Sequence, residues 1–506
     1  MSNLISRWTL AVAVLLATVI WSLSIPIYNI YFHPLSKYPG PKLWAAYQFT
    51  SLWSLLRGKS VHDVEKIHAY YGPIVRIAPN EISVAGPDGW KDIYATRPGH
   101  KIFPKNGIWY GGKTIGQPES LINVENPADH ERMRRLLNPA FTPKAVDSQE
   151  CTVQFYVDLL ISKLRDRAAA KESVDIVSWY NFVTFDIVGD LGFGEPFNCL
   201  QDSQYHIWVS TIFTTFKNTF MLGALGCYPL LSKVLGAMIP SSIREPALRN
   251  RAMGKEKVHR RLNLEKERND FMTPVIRGED SKSMSLSEIE GTFHTIIVAG
   301  SETTATVLSG ITNYLTRDAA VMNRLCVEIR SAFQNEKDID FSATRNLPYL
   351  NAVIQEGMRM CPPTPAGIPR IVPEGGDTVC GHWFPGGTNI SLHSWSTYRS
   401  SANFHNPLQF IPERWLQSIT ADETSPYYHD KRYAVQVFSL GPRACLGKNL
   451  AWAELRLILA RMIWNFDIEI ACDADGNAKL LDWTKQKTWV LVEKEPLEVK
   501  LTSVQV

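Results

Sequence analysis

The chain has 506 residues, of which 45% are hydrophobic and 20% are charged, with 53 basic and 50 acidic side chains. This composition excludes an intrinsically disordered chain, which would bury too little apolar surface to offset its loss of conformational entropy. The formal net charge of +3 argues against a general nucleic-acid-binding protein, because neutralising many phosphates requires a large basic excess. The eight cysteines form no CxxC pair, which indicates reduced thiols rather than a disulfide framework.

The first predicted element is an apolar helix at the amino terminus. No Asp, Glu, Lys or Arg occurs between Trp8 and Phe32, and a helix over the first 18 residues of this run would be about 27 Å long, close to the thickness of the hydrocarbon layer. Basic residues follow it, so the positive-inside rule predicts that the carboxy-terminal part faces the cytosol. We therefore expect residues 1–32 to form a single-pass membrane anchor. A cleaved signal peptide is the alternative, although no small-x-small cleavage site follows before Pro26.

The remainder of the chain is predicted to form a single domain. Three prolines in residues 33–41 exclude helix and predict a short rigid hinge. Alternating apolar residues predict strands at 74–78 and 81–84, and short strands are also expected near 378–379 and 488–492. Between the early and late strands, from about residue 127 to about residue 355, the pattern is largely helical. We find no internal repeat or Gly/Ser linker, so we expect a single catalytic domain over residues 33–506, mainly α with some β (α+β).

One motif near the carboxy terminus carries the strongest chemical signal, Phe438-Ser-Leu-Gly441-Pro-Arg443-Ala-Cys445-Leu-Gly447. The two glycines allow a tight turn and close approach to a flat partner, and the arginine can pair with a carboxylate of that partner. A helix is predicted to follow directly, and its amino-terminal dipole favours a thiolate at Cys445. A lone cysteine is usually a small buried hydrophobic residue, but these neighbours indicate that Cys445 is a ligand of a bound group.

This motif resembles the haem-binding loop of the cytochrome P-450 superfamily. The resemblance implies the cytochrome P-450 fold, in which a long central helix lies over haem (iron protoporphyrin IX) and small β-sheets flank the helices. It also implies that Cys445 is the axial ligand of the haem iron, and that Phe438, Gly441, Arg443 and Gly447 help to bind the cofactor. A thiolate ligand donates electron density to the iron and favours cleavage of the O–O bond.

A second motif lies inside a long predicted helix. The helix is expected to begin at Ser285, which forms a capping box with Glu288, and to end near Thr316. Its centre, residues 299–304, reads Ala-Gly-Ser-Glu-Thr-Thr. A small-residue helix crossing would explain this pattern, but Gly300 costs up to about 1 kcal/mol in a helix interior and a buried glutamate costs more unless it is paired. These costs indicate a functional reason.

The second motif also resembles part of the same family, namely its oxygen-binding groove. By that likeness Gly300 lies at the cofactor, Thr303 hydrogen-bonds dioxygen, and Glu302 relays protons inward. Thr303 and Glu302 are therefore the expected catalytic residues.

A third pattern is structural. Glu356 and Arg359 are three residues apart, so they share one face of a predicted helix. Alone this pair is unremarkable, since surface ion pairs contribute little to stability. The family's pattern adds Arg414 from a later segment, and the resemblance implies that these three residues form a buried triad beneath the haem loop.

The fourth pattern concerns the haem propionates. The family's Trp-x-x-x-Arg helix occurs here as His130-Glu-Arg-Met-Arg134, with histidine in place of tryptophan. Both side chains can hydrogen-bond a propionate, so the role can survive the substitution. Arg370 falls where a further propionate partner is often found, and with Arg134 and Arg443 it would give three cations for two propionates.

The resemblance extends over nearly the whole chain, from the anchor to the final strand. Residues 31–41 and 179–194 are similar to filamentous-fungal members that oxidise terpenoid or polyketide intermediates of secondary metabolism. The implied activity is a haem-thiolate monooxygenase of the endoplasmic reticulum membrane, its catalytic domain facing the cytosol, that inserts one oxygen atom from O2 into a lipophilic small molecule.

The resemblance also implies electron-transfer partners. NADPH–cytochrome P-450 reductase would supply the electrons, with cytochrome b5 as a further candidate donor. Four basic residues near the expected thiolate side could dock an acidic partner or simply form a solvated face: Arg132, Arg135, Lys144 and Lys448.

Other functions stay open at this stage. The same fold can host an isomerase or dehydratase that uses no external oxygen, although an intact Glu302–Thr303 pair argues against it. The chain could also be a catalytically silent haem-binding membrane protein, or Cys445 could be structural, without haem.

Overall fold

The computed structural model describes residues 2–110, 118–228, 241–264, 268–277, 283–473 and 475–504. Within these ranges the α-helices are α1 Ser2–Tyr31, α2 Lys42–Ala46, α3 Gln48–Leu56, α4 Ser60–Tyr71, α5 Gly89–Tyr94, α6 Gly107–Tyr110, α7 Pro127–Leu137, α8 Pro143–Ser148, α9 Glu150–Ala169, α10 Ile176–Phe193, α11 Cys199–Asp202, α12 Ile207–Ala224, α13 Ser241–Leu262, α14 Thr273–Ile276, α15 Leu286–Leu315, α16 Ala319–Ala332, α17 Phe341–Arg345, α18 Pro348–Met360, α19 Ser394–Tyr398, α20 Gln417–Thr420 and α21 Lys448–Asn465. Short 3₁₀ turns occur at Asn138–Phe141, Leu225–Cys227, Glu336–Asp338, Pro412–Trp415, Arg432–Ala434, Gly441–Arg443 and Trp483–Lys485.

Within the same ranges the strands are short and form four small sheets. They are β1 Ile74–Ala78, β2 Glu81–Val84, β3 Ser173–Asp175, β4 Arg370–Ile371, β5 Asp377–Val379, β6 His382–Phe384, β7 Asn389–Leu392, β8 Phe466–Ile470, β9 Lys487–Thr488, β10 Val492–Glu493 and β11 Glu498–Ser503. The sheet orders are β1-β2-β7-β4, β3-β11-β8, β5-β6 and β9-β10. The strands β2 and β7 are parallel, whereas the other pairs are antiparallel.

The predicted mainly helical fold with small sheets is confirmed. The two early strands have the predicted bounds, and the expected strand near 378–379 is part of β5. The segment 488–492 differs from the single strand expected, because the Trp489 amide donates to the Leu491 carbonyl oxygen at 3.1 Å and turns the chain. The result is a hairpin of β9 and β10, in which Thr488 pairs with Val492.

The predicted anchor segment is the helix α1, and residues 33–41 after it are non-helical, as their prolines predict. Several apolar side chains of α1 are exposed, including Leu16, Ile20 and Leu23. Among the residues that the structure describes, no helix has both the length and the apolarity to cross a membrane. The predicted transmembrane helix is therefore not confirmed.

The long helix α15 contributes many buried side chains to the main hydrophobic core. Its predicted start is confirmed, since Ser285 and Glu288 form the capping box, and Thr316 is its carboxy-terminal cap. Close packing against α18 depends on glycine. A Cβ atom on Gly310 would lie 2.3 Å from the Cys361 sulfur, so a larger residue there would separate the two helices. This packing fixes α15 relative to the segments that carry the candidate site.

Candidate active site

The Cys445 loop is held by its own backbone. The Cys445 amide donates to the Phe438 carbonyl oxygen at 2.8 Å, which closes the loop immediately before α21. Two residues in it have positive φ, Ser439 at 58° and Gly441 at 76°. Gly441 also approaches another segment closely, because a Cβ there would lie 2.1 Å from the carbonyl oxygen of Tyr94. Glycine at 441 is therefore required by both conformation and space.

The Cys445 side chain is exposed, yet the surrounding protein desolvates it enough to raise the pKa of its thiol. Together these observations place the thiol on an accessible surface in the interior of the molecule. The Gly447 amide, Arg134 and Lys448 act in the opposite direction and favour the thiolate. A Cβ atom on Gly447 would meet no protein atom within 4 Å, so packing within the described chain does not explain this glycine.

Five basic side chains lie close together beside this loop: Lys105, His130, Arg134, Arg370 and Arg443. Burial, followed by the charges of the other four side chains, lowers the pKa of His130 to about 3. Burial, followed by Arg443 and Arg370, lowers the pKa of Lys105 to about 6. Within the described residues none of the five forms an ion pair with a carboxylate. The cluster therefore has an unbalanced positive charge that suits an anionic ligand.

Backbone carbonyl groups orient two of these cations. Arg134 donates to the Ala444 carbonyl oxygen at 2.6 Å, and Arg443 donates to the Val124 carbonyl oxygen at 2.8 Å. The buried Nε atom of Arg370 has no hydrogen-bond partner within the described part of the chain. The arginines predicted to bind propionates are thus brought together next to Cys445, and one retains a donor for a further group.

The centre of α15 presents an accessible strip. Ala299 is exposed and Thr303 is partly exposed, although most of the helix is buried. The Thr303 hydroxyl group donates to the Ala299 carbonyl oxygen at 2.6 Å, so its oxygen lone pairs remain able to accept. Gly300 packs against α10, where a Cβ atom would lie 3.1 Å from Val188. Helix packing is therefore one structural reason for this glycine.

Glu302 makes contacts separate from those of Thr303. Its carboxylate forms an ion pair with Lys494, and both side chains are buried. Burial raises the pKa of Glu302, while Lys494 opposes that rise. The structure therefore brings Glu302 to the segment after β10 and does not record a hydrogen bond between Glu302 and Thr303.

A second buried acid lies beside the motif of residues 299–304. Glu454 on α21 is 1% exposed, and burial raises its pKa to about 8, although a hydrogen bond with Thr304 acts in the opposite direction. The carboxyl group is therefore mainly neutral at pH 7. It links α21, the helix that follows Cys445, to α15.

The predicted triad lies together in the core. Arg359 donates to Glu356 from Nε at 2.8 Å and from Nη2 at 2.6 Å, and Arg414 donates to the same carboxylate at 3.2 Å. All three side chains are completely buried. A fourth member, Asp430, pairs with Arg414. This cluster makes no recorded contact with Cys445, so its role is to hold segments together.

The sequence interpretation missed Lys105, Asp430, Glu454 and Lys494. Lys494 and Asp430 carry no local signal, since they meet their partners only in the folded chain. Glu454 had a weak signal, because it is an acidic residue in an otherwise apolar part of α21 and buried carboxyl groups are uncommon. Of the proposed docking residues, Arg132 is engaged with Glu288 at 2.6 Å and so has a structural role.

A mainly helical fold with an accessible cysteine, beside a cationic cluster without carboxylate partners among the described residues, is suited to an anionic, metal-containing cofactor held through a thiolate. The model of the family Cytochrome P450 matches residues 37–500, and the chain belongs to this family. A cytochrome P450 monooxygenase named astJ from Aspergillus oryzae is 41% identical over 485 residues, which cover 96% of this chain and 95% of that protein. Trichothecene C-4 hydroxylase from Trichoderma arundinaceum is 41% identical over 510 residues, or 99% of each chain. A cytochrome P450 monooxygenase named atr2 from Stereocaulon alpinum is 40% identical over 501 residues, with 98% and 96% covered.

The protein is accordingly a cytochrome P450 monooxygenase that resembles fungal members of secondary metabolism. Membership implies haem, O2 and electrons from a reductase. The residues present fit haem, because five clustered basic side chains without carboxylate partners can accommodate two propionates. The accessible thiol of Cys445 and the uncrowded Gly447 fit the iron and the porphyrin plane.

Proposed function

We propose that this monooxygenase inserts one oxygen atom from O2 into a lipophilic terpenoid or polyketide intermediate. Electrons would come from NADPH through NADPH–cytochrome P-450 reductase, with cytochrome b5 as a further candidate donor. One relative is named as a trichothecene hydroxylase, which supports hydroxylation of such a substrate. The observation that carries the proposal is the accessible Cys445 thiol beside the unpaired cationic cluster.

In this proposal the chain binds the cofactor through five side chains. Cys445 ligates the iron, while Arg134, Arg370 and Arg443 neutralise the propionates. His130 can donate a hydrogen bond as a neutral imidazole, because its lowered pKa disfavours the charged form. When bound, haem supplies the chemistry of oxygen activation and transfer.

Two side chains of α15, those of Thr303 and Glu302, are assigned to the proton steps. The Thr303 hydroxyl oxygen can accept a hydrogen bond at the accessible strip, since its own proton is directed to the Ala299 carbonyl group. Glu302 can carry a proton on Oε2, which is buried and has no hydrogen-bond partner among the described residues. We assign Thr303 to holding oxygen and Glu302 to supplying protons.

The ligand assignment is tested by the absorption spectrum of the reduced, carbon-monoxide-treated enzyme. The wild type should show the red-shifted Soret band of a thiolate ligand, and Cys445→Ala should lose it. Cys151→Ala is the matched control, because Cys151 is an exposed cysteine on α9 and its replacement should leave the band unchanged. An unchanged band in Cys445→Ala would contradict the assignment.

The reaction type is tested with isotopically labelled oxygen. One labelled atom from O2 should appear in the product when NADPH and the reductase are supplied. Conversion without consumption of O2 would instead identify an isomerase or dehydratase.

We also propose that residues 1–32 tether the enzyme to the endoplasmic reticulum membrane, with residues 33–506 as the catalytic domain on the cytosolic side. The charge-free run from Trp8 to Phe32 and exposed apolar side chains of α1 such as Leu16 and Ile20 support this proposal. The single crossing stays a prediction. A chain that begins at His33 should move from the membrane fraction to the soluble fraction, and sedimentation with membranes would contradict the proposal.

A further inference from the structure

Lys494 follows β10 directly and points into the protein. Its side chain is 3% exposed, and that of its partner Glu302 is 6% exposed. The Lys494 ammonium group pairs with Oε1 of Glu302 and also donates to the Thr306 hydroxyl oxygen at 3.2 Å. A buried ion pair is costly to desolvate and is weak evidence for a role in stability alone, so the position of this lysine calls for another reason.

The two oxygens of the Glu302 carboxyl group differ in their surroundings. Oε1 is paired with Lys494, whereas Oε2 is buried without a hydrogen-bond partner among the described residues. Tyr205 also interacts electrostatically with Glu302, and burial is the main cause that raises the pKa of Tyr205 to about 12. Tyr205 is therefore neutral at physiological pH, and Lys494 is the cation recorded as acting on Glu302.

The segment that carries Lys494 is held against two helices. The preceding residue, Glu493, pairs with Lys217 of α12 at 2.8 Å, while Lys494 reaches α15. Lys217 also lies 3.7 Å from the ring centroid of Trp489, in the turn of the same hairpin. Two neighbouring charges thus join the β9–β10 hairpin to α12 and to the middle of α15.

We propose that Lys494 is the positioning residue for proton transfer by Glu302, and that its ammonium group stabilises the carboxylate left when the proton departs from Oε2. The proton moves from Oε2 toward the accessible strip at Thr303, and a proton from solvent restores the carboxyl group, so charge balances and no electron is transferred. This inference rests on the proposed role of Glu302. Without Lys494, desolvation alone acts on Glu302 and favours the protonated form.

The first test is an infrared pH titration of the full-length holoenzyme. The band of a buried protonated carboxyl group should vanish at a higher pH in Lys494→Met than in the wild type. Glu302→Gln identifies the band by removing it, and Lys494→Arg should restore the wild-type midpoint. Lys500→Met is the matched control, since Lys500 is exposed on β11 and should leave the midpoint unchanged. An unshifted midpoint in Lys494→Met would overturn the inference.

The second test compares NADPH consumed with product formed. We expect Lys494→Met to release more peroxide per NADPH than the wild type, and Lys494→Arg to restore coupling. If Glu302→Gln uncouples the reaction but Lys494→Met does not, the role of Lys494 is wrong and that of Glu302 stands. If Glu302→Gln itself stays coupled, the proposed proton supply through Glu302 is wrong, whatever the infrared midpoint of Lys494→Met.

Discussion

Replacement of Glu356 by glutamine removes the carboxylate of the buried triad. Besides Arg359 and Arg414, the Ile411 amide and the Trp415 indole each donate to it at 2.8 Å. Glutamine keeps the volume but removes the charge, so the buried guanidinium group of Arg359 loses its carboxylate partner, while Arg414 keeps only Asp430. We expect Glu356→Gln to destabilise the protein strongly, because it leaves a buried charge uncompensated.

The size of the expected loss of stability follows from the burial of the triad. All three side chains of the triad are 0% exposed, and removing one partner of a buried ion pair costs about 3–5 kcal/mol. At about 2.1 cal/mol/K per residue, a chain of 506 residues has an unfolding entropy of about 1 kcal/mol/K. The expected decrease in melting temperature is therefore about 3–5 °C.

The assay is thermal melting of both proteins at one scan rate, repeated at several pH values. The pair with Arg359 is part of the network that lowers the pKa of Glu356 against the effect of burial. Its stabilisation is therefore present above the unfolded pKa and lost as the pH falls through the folded value. The difference between Glu356→Gln and the wild type should accordingly narrow in acid.

The matched control is Glu172→Gln. Glu172 pairs with Arg167 at the surface and is 51% exposed, so its replacement should cost less than about 1 kcal/mol. A melting shift in Glu356→Gln no larger than that of the control, or one independent of pH, would refute the reasoning.

Two further predictions concern the helices around the site. Burial raises the pKa of Glu454 from 4.5 to about 8, so between these values the folded state retains a proton that the unfolded state loses. The free energy of unfolding therefore decreases progressively between about pH 4.5 and pH 8, by about 5 kcal/mol in total. Denaturation of Glu454→Gln should show a smaller loss of stability over this interval than the wild type, and parallel pH profiles would contradict the assignment. Gly310→Ala should destabilise by about 1–3 kcal/mol through overpacking, since its Cβ would lie 2.3 Å from the Cys361 sulfur. Alanine is normally the better helix former by about 1 kcal/mol. A rise in melting temperature would therefore show that α15 and α18 can move apart at little cost, and it would contradict the prediction.

The sequence alone predicted those elements that depend on interactions between near neighbours in the chain. The capping box of Ser285 and Glu288, the strands β1 and β2, and the end of α1 before the proline hinge all depend on residues a few positions apart. Short-range spacing fixes these elements because hydrogen bonds and backbone sterics act between near neighbours in the chain. The Cys445 motif could be interpreted for the same reason, since its glycines and arginine lie within ten residues.

Tertiary structure decided which charges meet. Glu302 and Thr303 are adjacent in sequence, but Glu302 pairs with Lys494, 192 residues away, whereas Thr303 bonds within its own helix. Successive helical residues point about 100° apart, so neighbours in sequence face different elements. Which element each one faces depends on the path of the whole chain. The same long-range packing buries Glu454, and it gathers Lys105 with the arginines near Cys445. The sequence therefore determined the family and the expected cofactor, while the fold determined which charged side chains surround Cys445, Glu302 and Thr303.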